Sequence, residues 1–105
     1  MTNFISTGST YWISDEEIQI LEKNATNGDK NSAFKLYQYH MFVSLDQDSE
    51  FKWLEIAAKN GHPIAQSNLA DLFFTQGDKE KAIFWAKKAY RNGAKLPDEL
   101  KILIN

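Results

Sequence analysis

Fourteen carboxylates, two histidines and no cysteine are the side chains with which this 105-residue chain could do acid–base or metal chemistry. His40 and His62 stand far apart, and neither has the His-x-x-x-His spacing of a zinc site on one helix face. His62 follows a glycine and reads as the neighbour of a helix stop. Asp15, Glu16 and Glu17 could form an acidic metal site, but three acids in a row also suit the positive end of a helix dipole, and that reading is preferred. Asp46, Asp48 and Glu50 alternate like the start of a calcium loop, yet no glycine follows and no bidentate glutamate closes it. No glycine-rich phosphate loop follows a strand, and no serine or threonine sits in a nucleophile elbow. Enzyme activity has no positive support. Catalytic, cofactor-binding and metal residues are all expected to be none, and no cofactor is implied.

The missing cysteines also exclude disulfide scaffolds and thiolate chemistry, and suit a reducing compartment. A net charge of −2 gives no general attraction to nucleic acid or to an anionic membrane. No apolar run approaches the ~20 residues that span a bilayer, and residues 1–14 lack the basic start of a signal peptide. The expectation is a cytoplasmic protein with neither nucleic-acid nor membrane partners. Charge is unevenly placed, however. Residues 1–58 hold nine acids against four lysines, a net of −5, while residues 77–96 hold six cations against two acids, a net of +4. Lys87 and Lys88 near a helix end are partly explained by the dipole. The acidic half is not, and could steer a basic protein.

The elements that position these residues are marked by three Asn-Gly pairs, at Gly28, Gly61 and Gly93. Asn-Gly is a strong hairpin signal, but the residues before each pair are apolar at helical spacing: Ile18, Leu21 and Ala25; Trp53, Leu54, Ala57 and Ala58; Ala82, Trp85, Ala86 and Ala89. The pairs therefore read as helix stops, glycine adopting the left-handed conformation closed to most residues. Ser14 with Glu17 forms a capping box, Asp48 can cap another helix, and Pro63 suits a first turn. Six helices are predicted, over 15–26, 30–43, 49–59, 63–75, 79–91 and 97–104, with Val43–Asp48 as a connecting loop.

The glycines recur at intervals of 33 and 32 residues, the period of a solenoid of helix pairs. Leu36 and Leu69 keep the register, as do Trp53 and Trp85, and Ala57 and Ala89. Repeat-equivalent tryptophans read as core. His40 falls where the next repeat has Phe73 and reads as a half-buried packing residue. Phe4, Ile5, Tyr11, Trp12 and Ile13 form an uncharged apolar leader. Its preferred role is to fold back as a cap on the first helix, as terminal repeats require; the alternative is a partner-binding arm.

Trp53–Phe74, "WLEIAAKNGHPIAQSNLADLFF", resembles the Sel-one-like repeat, a relative of the tetratricopeptide repeat. The family pattern is matched by Trp53, Ala57-Ala58, Gly61-His62, Ala65-Gln66, Leu69 and Phe73, and the following helix carries Ala82, Trp85 and Ala89. Ala70 stands where glycine is commoner and Ser32 where alanine is expected, and the loop at Gly77 is short. The resemblance implies an all-α fold, a short right-handed α-solenoid of about two helix-pair repeats. Its parts would be a leader (1–14), a half repeat (15–27), repeats at 28–60 and 61–92, and a C-terminal capping helix (93–105).

Solenoids of this kind mostly bind proteins along a concave face lined by the first helix of each pair. Off the core stripe there lie Phe34, Gln38 and Met41 in the first unit and Ser67, Asp71 and Phe74 in the second, aromatic and Met positions that suit a protein contact. The resulting expectation is a non-enzymatic protein–protein interaction module. A small binder or inhibitor is preferred, such as a bacterial immunity protein occluding a cognate, basic toxin domain; the alternative is an adaptor in a signalling or envelope-assembly complex. The oligomeric state is left open.

Overall fold

The computed structural model describes residues 11–105, so Phe4 and Ile5 of the leader lie outside the described residues. Among the described residues six α-helices follow one another: α1 Asp15–Thr26, α2 Lys30–Tyr39, α3 Gln47–Lys59, α4 Pro63–Thr75, α5 Lys79–Arg91 and α6 Asp98–Ile104. A π-helical turn, His40–Ser44, prolongs α2. Each helix packs against its neighbours in sequence, giving an all-α solenoid of paired helices.

The Asn-Gly pairs end helices by one repeated device. Gly28, Gly61 and Gly93 have φ of 104°, 97° and 91°. Each glycine N–H donates to the carbonyl three residues back, and the next N–H donates to the carbonyl five back, as in Gly61 to Ala58 and His62 to Ala57. This pair of hydrogen bonds is the Schellman motif, which satisfies the last orphan carbonyls of a helix. Gly77, at φ 85°, ends α4 in the same way. At Gly28, Gly61 and Gly77 the residue after the glycine then caps the next helix. Asp29, His62 and Asp78 each accept a hydrogen bond from a backbone N–H of the helix that follows, at 3.1, 3.2 and 3.2 Å. One residue thus closes one helix and caps another, and the linkers shrink to three residues.

Two expected boundaries differ. The cap of α3 is Asp46, whose carboxylate accepts from Ser49 N–H at 3.4 Å and from its hydroxyl at 2.8 Å; Asp48 lies inside the first turn. The segment Val43–Asp48 is mostly helical, with only Leu45 and Asp46 outside a helix. Repeat spacing explains the π turn. Leu45-Asp46 occupies the place of Gly77-Asp78, 32 residues on, whereas Gly28 and Gly61 are 33 apart. The first unit therefore holds one extra residue between those points, and a π turn is how a helix accommodates a one-residue insertion. Leu45 then takes the left-handed conformation (φ 58°) that Gly77 supplies in the second unit.

The core is built from small residues at the contacts. Ala25, Ala33, Ala57, Ala58 and Ala65 are buried beside Leu36, Tyr37, Trp53, Leu54 and Leu69, and a second cluster joins Ala70, Ala86 and Ala89 to Leu96 and Leu100. Alanines let helix axes approach, and the leucines and Trp53 fill the spaces between them. Ser32 is satisfied locally, donating to Asp29 at 2.7 Å. Gln66, only 2% exposed, ties the units together: its amide donates to Ala58 O at 3.0 Å and its oxygen accepts from Asn92 at 2.9 Å.

Candidate functional site

The first helix of each pair does not present the six expected contact residues as a free stripe. Phe34 lies flat on the His62 ring, with centroids 4.0 Å apart. Phe34 and Met41 pack against the first core cluster, and Phe74 against the second. Ser67 is buried and Gln38 half-buried. In so short a solenoid a first helix is flanked on both sides, and its buried stripe widens to take in positions that a single helix pair would leave outside. Asp71 alone of the six is exposed.

Asp71 stands on the wall of a cleft between α3 and α4. Two adjoining hollows, of about 370 and 310 Å³, share Glu50, Leu54 and Leu72. Phe51 and Tyr37 extend the apolar floor, and Gln47, Gln76, Asn68 and Thr75 supply polar edges. Glu50 and Asp71 are the charged groups of this lining, both carboxylates. Neither forms an ion pair among the described residues. The hydroxyl of Tyr37, a residue 6% exposed, accepts from Asn68 at 3.3 Å across the α2–α4 junction. Burial, reinforced by the field of Glu50, pushes the Tyr37 phenol above its ordinary pKa against the opposing pull of that hydrogen bond. Glu50 falls outside the expected contact set because that set comes only from first helices, whereas Glu50 is on α3; Tyr37 and Asn68 are on first helices, α2 and α4, each one position from a member of the set, Gln38 and Ser67. The cleft draws a wall from α3, and the acidic bias of residues 1–58 was the available signal.

A second cleft, of about 560 Å³, opens between α5 and α6 with the opposite charge, Lys87, Arg91 and Lys101 beside Tyr90 and Ile104. Tyr90 occupies the repeat position at which Ala25 and Ala58 are buried.

The uncharacterized protein YibG of Escherichia coli (strain K12) is 33% identical over 95 residues, covering 84% of this chain and 62% of YibG. The chain thus spans less than two thirds of that protein's length. No protein-family model matches the chain, and no solved structure matches it.

The remaining candidates have structural roles in the described residues. The His62 Nδ1 accepts from Ala65 N–H, so His62 caps α4. His40 Nδ1 lies 2.7 Å from the Ser44 hydroxyl within the π turn. Asp15, Glu16 and Glu17 form the first turn of α1. Ser14 accepts from Glu17 N–H at 3.2 Å, while the Glu17 carboxylate pairs with Lys35 at 3.0 Å. Of the leader, Ile13 is buried, Tyr11 stacks on Phe42 at 4.5 Å, and Trp12 is 62% exposed. Trp53 is core, whereas Trp85, nearer the end of the stack, is half-buried between the two clusters. Among the described residues no helix is long and apolar enough to cross a membrane.

Proposed function

We propose that this chain is a cytoplasmic Sel-one-like repeat protein that acts without catalysis, as a small binder of a basic protein. Neutralisation of a cognate toxin, as by a bacterial immunity protein, is the role that suits its size. The observation that carries this reading is the cleft between α3 and α4, an apolar floor edged by Glu50 and Asp71 with no cation on its walls among the described residues. Such a surface attracts positive charge over a distance and buries apolar contact once docked. The family assignment is supported by repeat-equivalent residues in equivalent places: Leu36 with Leu69, Ala57 with Ala89, and the helix ends at Gly28, Gly61 and Gly93.

The test is affinity capture on the tagged chain from the source cell, followed by coexpression of the captured protein with and without this chain. The expected result is a basic protein, retained at low salt, whose growth inhibition is relieved by coexpression. Capture of nothing above a tag-only control would contradict the proposal. The adaptor reading has one observation in its favour, the oppositely charged cleft lined by Lys87, Arg91 and Lys101, which would suit a second partner of acidic character.

A further inference from the structure

From the chemistry of the cleft between α3 and α4 we infer that its occupant is an arginine side chain projecting from the basic partner. This rests on the binding role proposed above and names the group that the cleft takes. Three features point to a guanidinium. Glu50 from α3 and Asp71 from α4 line the same hollow, and neither forms an ion pair among the described residues. A planar guanidinium has five donors and can serve two carboxylates at once, whereas an ammonium is a point charge with a tightly held hydration shell. Between the carboxylates lie Leu54 and Leu72, with Tyr37 beside them, an apolar surface on which an arginine stem and the face of its guanidinium can lie. Asn68 adds a carbonyl oxygen on the same wall, while its amide is engaged with the Tyr37 hydroxyl. The hollow at Tyr37 holds about 310 Å³, room enough for one long side chain.

The experiment uses the purified chain and three capped tripeptides, Gly-Arg-Gly, Gly-Lys-Gly and Gly-citrulline-Gly, titrated while amide resonances are followed by NMR. The arginine peptide should shift Tyr37, Glu50, Leu54 and Asp71 saturably. The lysine peptide should bind at least about threefold more weakly. The citrulline peptide, which keeps the shape and loses the charge, should bind at least tenfold more weakly. Glu50→Gln with Asp71→Asn should remove the arginine response while leaving the rest of the spectrum in place. Equal binding of the citrulline or lysine peptide, shifts scattered over the surface, or an unchanged response in the double variant would overturn the inference. A captured partner that binds wild type and double variant alike would overturn the arginine assignment while leaving the binding role standing. Arginine recognition in the cleft without any captured partner would support the assignment and contradict the binding role.

Discussion

His62 shows how much of the fold one side chain can carry. It ends α3 through its backbone N–H, caps α4 through Nδ1, and covers Phe34 of α2 with its ring. Only the form with Nδ1 unprotonated can accept the capping bond. Burial, with the charge of Lys30 second, lowers the His62 pKa from its ordinary value, and burial lowers that of His40 likewise. A histidine whose pKa is depressed by folding stabilises the fold above the unfolded value, about 6.5, and that contribution is lost as pH falls through the folded value. Thermal unfolding followed from pH 8 to pH 5 should therefore show a falling midpoint. His62→Asn, which retains a capping oxygen, should flatten part of that slope, leaving the part due to His40. His62→Ala should lower stability at pH 8 by about 1 kcal/mol or more, the ordinary value of a cap with the ring stack lost in addition. A pH profile identical in wild type and His62→Asn would contradict the assignment. Gly61 is the companion case. A Cβ there would meet nothing within 4 Å, so substitution costs conformation rather than space. Gly61→Val should destabilise by more than about 1 kcal/mol in urea unfolding, and Gly61→Asn by less. Equal and negligible losses would show that the left-handed backbone matters little.

At the scale of elements, the helix stops were legible because their chemistry is local: Asn, Gly and a capping side chain lie within a few residues of one another. The π turn was not legible in that way, because no residue in His40–Ser44 announces it. It follows from counting, 33 residues in one unit against 32 in the next, and from Leu45 standing where Gly77 stands. Leu45 carries a conformational cost with little packing in return, being 71% exposed at φ 58°. Leu45→Gly should therefore stabilise the chain by about 0.5–1 kcal/mol, the left-handed penalty of an L-residue less the entropy cost of glycine. A loss of stability on urea unfolding would mean that the exposed leucine makes contacts worth more than the strain. The widths of the buried stripes were hidden for a related reason. Phe34 and Phe74 look available on an isolated helix, and only the position of the neighbouring helices shows them covered.

Across the whole molecule, charge was legible as a bias and illegible as a place. Nine acids against four lysines stand in residues 1–58, but several of those acids are spent on the fold. Asp29 and Asp46 cap helices, and serine hydrogen bonds, from Ser32 and Ser49, hold their carboxyls below the usual range. Glu17 pairs with Lys35 and Glu55 with Lys59. Asp15, Glu16 and Asp48 stand in the first turns of α1 and α3. Of the others, Glu22 and Glu50, it is Glu50 that lines the cleft between α3 and α4 together with Asp71. No spacing in the sequence joins residues 50 and 71; the turn at Gly61 does. The opposite charge gathers toward the C-terminal end of the stack, in the cleft of Lys87, Arg91 and Lys101. The central claim is that the acidic cleft receives the basic partner. It is tested most directly by the association rate of the captured partner, measured by biosensor for wild type and for Glu50→Gln/Asp71→Asn at about 0.05 and 0.5 M salt. Steering by exposed charge acts on association and is screened as the Debye length shrinks. The variant should associate several-fold more slowly than wild type at low salt, with the difference largely gone at high salt and the thermal midpoint unchanged. Equal association rates at both salt concentrations would contradict the claim.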